Sequence, residues 1–259
     1  RVKDELPDDV VVFFRLGDFY EMFFEDARVA APILDIALTK RNGVPMCGVP
    51  YHACGLYLAK MVRGGKKVAI CEQVEDPSQA KGIVRREVTR IVTPGTITEE
   101  SVLDADAHNF LAAICRRGTA FGLALLDIST GLFVGEDAAG ASAIRDHLLR
   151  FAPRECIVPE GQRNDPGIRD AIGGLRVDSI TETDDWIFEF DAAYDALTRH
   201  LGVRSLEGYG CEDRSAIVRA AGAVLCYVRD ELRRTVSHVR SLTVRSASDA
   251  LLLDEATCY

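Results

Sequence analysis

A phenylalanine and a glutamate separated by one residue carry the clearest potential for chemistry in this sequence. Phe19 and Glu21 follow the turn-forming pair Gly17-Asp18, and alternation along a strand puts both side chains on one face. A ring on a rigid hairpin can stack on any base and wedge into a weakened base step, while a carboxylate can share a hydrogen bond with a base edge. The alternative is a core aromatic beside a solvated carboxylate, and the residues alone leave both interpretations open.

A hairpin and the elements after it are predicted to position this pair. Residues 10–15 are β-branched and aromatic, which predicts a buried strand, and residues 19–23 can return beside it with Tyr20 turned towards the core. The first domain is therefore predicted to be mixed α/β. Its other predicted elements are a helix at 25–34, a short strand at 36–39, a Gly- and Pro-punctuated loop at 44–52, a helix at 54–63, and strands at 67–74 and 87–92.

A second set of elements begins near Asn109. Antiparallel strands followed by alternating strands and helices predict a three-layer α/β domain. The predicted strands are 110–115, 120–128, 132–134 and 155–158, and the predicted helices are 141–151, 191–201 and 214–233.

Composition limits the classes of function. A length of 259 residues allows two domains, and an apolar content of 47% with 27% charged residues is typical of a globular protein without membrane spans. The net charge of −9 argues against general coating of nucleic acid. Residues 40–90, however, carry ten basic and four acidic residues, which fits phosphate contact by one surface. The eight cysteines are scattered without a C-x-x-C pair, so we expect reduced core thiols rather than a zinc site or a disulfide framework.

Several blocks of sequence resemble the MutS family, in the family's order and at similar spacing. The densest is Phe-Phe-Arg-Leu-Gly-Asp-Phe-Tyr-Glu-Met-Phe at 13–23, followed by Leu-Thr-Lys-Arg at 38–41 and Pro-Met-Cys-Gly-Val-Pro-Tyr-His at 45–52. Blocks at 57–60, 68–73, 76–78 with 81–82, and 90–96 complete the first domain, and the likeness continues more thinly at 126–131, 208–210 and 238–241.

The resemblance implies a function for each part of the chain. Residues 1–113 would be the mismatch-recognition domain, in which Phe19 and Glu21 match the family's reader of mispaired or looped duplex DNA and Lys40 and Arg41 are plausible contacts to the DNA backbone. Residues 114–240 would be the connector domain, RNase-H-like in architecture and a receiver of a MutL-type protein. Residues 241–259 would begin the core and lever region.

The resemblance also implies what lies elsewhere. No G-x-x-x-x-G-K-[ST] motif is present, so ATP, Mg²⁺ and the ATPase activity are expected in a C-terminal part beyond this chain, which we interpret as a fragment of a homodimeric protein of the bacterial cytoplasm and nucleoid. We expect no catalytic residue, metal or cofactor in the fragment itself.

Two other functions remain open. One is an RNase-H-like nuclease built on Asp127, for which Glu155 and Asp178 are the available but poorly placed partners, since two-metal chemistry needs converging carboxylates. The other is a protein-interaction module whose basic stretch is simply solvated.

Overall fold

Aromatic and β-branched residues near the N-terminus form the hairpin that the sequence predicts. In the computed structural model, which describes residues 2–74, 86–98, 108–173, 179–211 and 213–245, β1 (Val10–Leu16) pairs antiparallel with β2 (Phe19–Phe23). Leu16 faces Phe19 across the ladder, which leaves a two-residue turn of Gly17 and Asp18. Gly17 has a φ of +58°, a backbone angle that glycine adopts without a Cβ penalty.

The hairpin lies inside a six-stranded mixed sheet with the order β3-β4-β2-β1-β5-β6. Only the β1–β5 pairing is parallel among these neighbours. Tyr20 and Met22 are buried in a core with the two helices, which confirms the predicted alternation along β2. The other elements of this unit are α1 (Phe24–Leu34), β3 (Thr39–Arg41), β4 (Val44–Pro50), α2 (Cys54–Arg63), β5 (Lys67–Gln73), β6 (Arg86–Val92) and short 3-10 turns at Lys3–Glu5 and Tyr51–Ala53.

The prediction of a loop at 44–52 is wrong for most of that range, because residues Val44–Pro50 form the strand β4, which is hydrogen-bonded to β3 and β2. Proline removes a ladder donor and is tolerated where a strand has one neighbour or ends. Pro45 pairs only with β3 and Pro50 is the last residue of the strand, so both prolines occupy such places. The short strand expected at 36–39 is wrong in position, because residues 36–38 are not in a strand and β3 runs Thr39–Arg41.

The second unit is built on another six-stranded sheet, with the order β11-β10-β7-β8-β9-β12. The first three strands along the chain pair antiparallel, each with the next. The fourth strand then pairs in parallel with the first, and the fifth pairs in parallel with the fourth, which is the arrangement expected of an RNase-H-like sheet. The strands are β7 (Phe110–Arg117), β8 (Ala120–Asp127), β9 (Leu132–Ala138), β10 (Glu155–Pro159), β11 (Ser179–Thr183) and β12 (Thr243–Arg245).

Helices cover both faces of this sheet, which confirms the three-layer α/β prediction. Ile144 and Ile168 pack from α3 (Ala141–Phe151) and α4 (Pro166–Ile172) onto one face. On the other face α6 (Ser215–Cys226) approaches so closely that a β-carbon at Gly122 would lie 1.9 Å from the Ala216 carbonyl oxygen. The remaining helical elements are α5 (Phe190–Leu201), which packs on α6, a π-helical turn at Tyr227–Glu231, and 3-10 turns at Glu160–Gln162, Asp185–Phe188 and Glu207–Tyr209.

Contacts among the described residues divide the chain into two compact units. The first comprises the described residues up to 98 together with Leu232–Arg234, and the second those from His108 to Glu231 and from Thr235 onwards. Strand β7 crosses the predicted boundary at 113/114 and belongs wholly to the second unit. Of the region expected from 241 onwards, β12 pairs with β9, and residues 246–259 lie outside the described part. No helix in the described ranges combines the length and apolar character that a membrane crossing requires.

Candidate nucleic-acid interface

Phe19 is the exposed aromatic at the tip of the first hairpin. Its side chain is 48% exposed, whereas its neighbour Tyr20 is buried in the core. Phe24 and Tyr51 of the same unit are at least as exposed, at 66% and 50%, so Phe19 is distinguished by its place at the turn beside Glu21 rather than by exposure alone.

The turn that presents Phe19 is braced by an arginine–tyrosine stack. The Arg15 guanidinium lies 3.4 Å from the centre of the Tyr51 ring, and its Nε donates a hydrogen bond of 2.5 Å to the Gly17 carbonyl oxygen. The Tyr51 backbone N–H donates to the Asp18 carbonyl oxygen at 2.9 Å. The carbonyl groups of both turn residues are therefore bonded, which fixes the backbone that presents Phe19. Sequence reasoning does not single out Arg15 or Tyr51, although both lie in the blocks that carry the family likeness.

Tyr20 anchors the same strand from the core side. Its hydroxyl donates to Glu72 on β5, and burial together with that carboxylate raises the pKa of Tyr20 well above its usual value. The phenol therefore remains a hydrogen-bond donor at every physiological pH, and the strand cannot slip without breaking a part-buried bond.

Glu21 lies on the same face as Phe19 and is engaged by a cation. Arg41 Nη1 donates to Glu21 Oε2 at 3.0 Å, and the side chains are 58% and 15% exposed respectively. Gly48 faces Glu21 across the ladder, and a β-carbon there would lie 3.4 Å from the Glu21 Cγ. A larger residue at Gly48 would therefore pack directly on the Glu21 side chain.

The two basic residues that the sequence predicts as DNA-backbone contacts lie on opposite faces of the sheet. Lys40 and Arg41 are consecutive residues of the edge strand β3, so their side chains point to opposite faces of the sheet. Arg41 joins Glu21, and Lys40 lies on the other face. The structure thus brings Phe19, Glu21 and Arg41 onto one face and separates Lys40 from them.

Aromatic rings also line the sheet next to Glu21. Phe14 faces Glu21 across the ladder and meets Phe23 edge to face, with ring centres 6.5 Å apart. The Arg86 guanidinium lies 5.3 Å from the centre of the Phe14 ring. A cation over an aromatic beside the carboxylate adds positive charge to this surface, as contact with phosphates requires.

The acidic residues considered for nuclease chemistry are arranged differently. Asp127 lies on the α3 and α4 face of its sheet, two residues on from Leu125 of that layer. Glu155 lies on the α6 face, because it precedes Cys156 of the α3 and α4 layer and so points the other way. Asp178 lies outside the described residues. Two carboxylates on opposite faces of a sheet cannot hold a common pair of metal ions.

Both carboxylates already have structural partners. Asp127 accepts hydrogen bonds from the Ser129 backbone N–H at 2.9 Å and the Ser129 hydroxyl at 2.6 Å, and it pairs with His108 at 2.8 Å. Burial works against ionisation, but these bonds outweigh it and lower the pKa of Asp127 below its usual value. Glu155 is fully buried and accepts from the hydroxyls of Thr181 and Tyr227, at 3.0 and 2.8 Å.

Cysteines fill core positions in the described ranges. Cys47, Cys71 and Cys115 are buried free thiols, and burial raises the pKa of Cys47 and of Cys71 to about 11. They remain protonated and act as small core residues. Within the part of the chain that the structure describes, no group of three or more His, Cys, Asp or Glu side chains is placed to hold a metal ion.

The fold and the site together define a two-unit mixed α/β protein that presents an aromatic–carboxylate pair on a braced hairpin. Residues 1–101 match the family model described as MutS domain I, and residues 109–240 match the one described as MutS domain II. The second match alone covers more than half of the chain. The chain belongs to the MutS family.

Curated relatives agree with this assignment. Proteins named DNA mismatch repair protein MutS are 45% identical over 97% of the chain in Myxococcus xanthus, 45% over 98% in Syntrophomonas wolfei and 42% over 99% in Desulforapulum autotrophicum. The matches cover 29%, 30% and 30% of those relatives, so the chain spans about three tenths of their length. The matched domains are I and II, which do not include the ATPase domain of the family.

Proposed function

We propose that this chain is the DNA-reading part of a mismatch repair protein and that Phe19 is the residue that probes base stacking. The observation that carries the proposal is the half-exposed Phe19 ring beside Glu21, on a turn held by the Arg15–Tyr51 stack. The names of the relatives, which describe mismatch repair, support the same conclusion.

The physical mechanism is a test of how easily two bases separate. Inserting an apolar ring into a base step from the minor groove unstacks it and kinks the duplex, which costs on the order of a few kcal/mol. The cost is smallest at a mispair or a small loop, because pairing and stacking are already weak there. The braced Phe19 turn loses little entropy on insertion, so the difference between matched and faulty steps is expressed as a difference in affinity.

Glu21 would act on the base that the wedge displaces. A carboxylate accepts a hydrogen bond from a base edge when it is ionised and donates one when it is protonated. Its position on the strand next to Phe19 places it within reach of the same base step. Where no base comes within reach, the carboxylate is repelled by the phosphates and disfavours binding to intact duplex.

The remaining parts of the proposal concern the rest of the protein. Lys40 and Arg41 would contact the DNA backbone, and the second unit would be the connector domain that receives a MutL-type protein. The complete protein would be a homodimer in the bacterial cytoplasm, with ATP and Mg²⁺ bound in domains other than the two matched here.

The test is a comparison of two phenylalanines in a full-length MutS protein that carries these 259 residues. Affinity for a duplex with one G·T pair and for its matched homoduplex is measured for the wild type, Phe19→Ala and Phe24→Ala. Phe24 is also exposed, at 66%, and lies close by in the sequence, so its removal controls for loss of surface aromatics. We expect Phe19→Ala to lower the mismatch preference by about tenfold or more, the scale of one lost base–aromatic stack. Retention of the preference in Phe19→Ala would overturn the proposal.

A further inference from the structure

Arg41 has two possible partners of the same charge. In the structure its guanidinium is bonded to Glu21 Oε2, and its side chain is 58% exposed at the edge of the sheet, where a DNA phosphate would be a second partner. Arginine binds carboxylate and phosphate with the same planar set of donors. The guanidinium carries one positive charge, and the Glu21 carboxylate already neutralises it, so the two partners compete for that charge.

Glu21 determines what the exchange costs. Its side chain is only 15% exposed, so a charged carboxylate that loses Arg41 is left poorly hydrated beside the Phe14 ring. Leaving a part-buried charge without its partner is unfavourable, and nearby phosphates make it worse. Arg41 should therefore move to a phosphate only when Glu21 has found another hydrogen-bond partner.

We propose that Arg41 is a conditional phosphate ligand, which is released from Glu21 only when Glu21 bonds to a base at a mispair. The inference rests on the proposed function, because a mispair is where Phe19 can enter and bring Glu21 to a base edge. On a matched duplex Arg41 stays on Glu21 and binds no phosphate. Arg41 thereby adds to affinity for faulty DNA and not to affinity for intact DNA, which makes it a specificity-determining residue.

Lys40 supplies a matched comparison within the same strand. It carries the same charge one residue away, and strand alternation turns it to the opposite face from Glu21. Any phosphate that Lys40 binds is bound independently of the glutamate, and equally on both kinds of duplex. If only the positive charge at this edge mattered, loss of Lys40 and loss of Arg41 would change DNA affinity in the same way. The exchange predicts that only loss of Arg41 acts differently on the matched and the mispaired duplex.

Salt dependence distinguishes the two behaviours, because log affinity falls with log salt and each phosphate that the protein neutralises steepens that slope by about 0.9; slopes are compared by their magnitude. The slopes are measured with the matched and the G·T duplex for full-length protein carrying Arg41→Gln, Lys40→Gln or Glu21→Gln. We expect Arg41→Gln to reduce the slope by about 0.9 on the G·T duplex and to leave it unchanged on the matched duplex. Lys40→Gln should change both slopes by the same amount, and Glu21→Gln should raise the matched slope by about 0.9 because it frees Arg41.

Equal slope changes on the two duplexes for Arg41→Gln would overturn the exchange, as would an unchanged matched slope in Glu21→Gln. Phe19→Ala separates this failure from failure of the proposed function. If Phe19→Ala loses the mismatch preference while Arg41→Gln acts equally on both duplexes, the wedge stands and the exchange is wrong. If Phe19→Ala keeps the preference, the proposed function fails, and the exchange fails with it.

Discussion

The two units of this chain use carboxylates in opposite ways. In the first unit Glu21 lies at a partly exposed position, with a bond from an exposed surface arginine. In the second unit Asp127 and Glu155 are fully buried, and each accepts two or more hydrogen bonds from fixed partners. A buried carboxylate with two or more hydrogen bonds has little capacity left for a ligand, whereas Glu21 has one partner, which is itself exposed.

The two units also differ in how the backbone near these carboxylates is packed. Helices cover both faces of the second sheet, and α6 approaches it at Gly122 without room for a side chain. In the first unit the Phe19 turn is held by a cation–aromatic stack and by hydrogen bonds to two of its backbone carbonyl groups. The sheet of the second unit is thus tightly packed on both faces, whereas the hairpin of the first unit leaves the Phe19 ring half exposed. Substitutions in each unit can test whether this division holds.

The largest effect is expected at the contact between α6 and its sheet. In Gly122→Ala the new methyl group meets the Ala216 carbonyl oxygen, so α6 must move, and we expect a loss of about 3 kcal/mol or more in the free energy of unfolding. Gly208→Ala is the matched control, because nothing lies within 4 Å of a β-carbon there. Urea unfolding of the wild type and both variants measures the difference. Equal stability of the two variants would show that the second unit is not packed as tightly as we describe.

A smaller effect is expected when Asp127 is replaced by its amide. Asp127→Asn removes the negative charge that accepts from Ser129 through one oxygen and pairs with His108 through the other, so the bonds that remain are between neutral groups. We expect a loss of about 2 kcal/mol in stability at pH 7, measured by urea unfolding, since bonds to a charged group are the stronger kind. If Asp127 were instead an idle acid kept for catalysis, the amide would cost little stability.

The stability difference between wild type and Asp127→Asn should also depend on pH. The pKa of Asp127 is lowered in the folded state, so its ionised form stabilises the fold above the unfolded-state pKa of about 4. That contribution is lost as the pH falls through the folded pKa, and the two proteins should converge in stability below about pH 4. Chemical unfolding at a series of pH values measures the convergence, and a constant difference across the series would contradict it.

Most regular elements of both units follow from local sequence, and the differences have identifiable causes. Residues close in sequence set the pattern of β1, β2 and α1, and these predictions are confirmed. The prediction at β4 is wrong because its prolines argue for a loop unless the neighbours that make them tolerable are known. The short helix α4 is absent from the sequence prediction, although Asp165 caps it and Pro166 begins it, which is a local signal.

The site is only partly predictable for a different reason. Phe19 and Glu21 come from one strand, so their common face follows from alternation alone. The bond from Arg41 reaches Glu21 through the pairing of β3 with β4 and of β4 with β2, and the stack of Arg15 on Tyr51 joins two strand ends. Neither contact has a sequence signal of its own, because each depends on how distant segments pair. Tertiary pairing therefore decides the electrostatics of the site, while local sequence decides which residues can form it.

The smallest effect on stability is expected at Glu21 itself. Glu21→Gln keeps the shape of the side chain and removes one charge from a pair whose arginine is mostly exposed. Such pairs contribute about 0–1 kcal/mol, so the free energy of unfolding should change by no more than about 0.5 kcal/mol. Urea unfolding beside Asp127→Asn, another isosteric exchange of an acid for an amide, measures the contrast directly. A loss at Glu21 as large as that at Asp127 would mean that the glutamate is kept for folding, and the contrast between the two units would disappear. A small loss, together with altered DNA affinity in the full-length protein, would place Glu21 among residues whose chemistry is directed at a ligand.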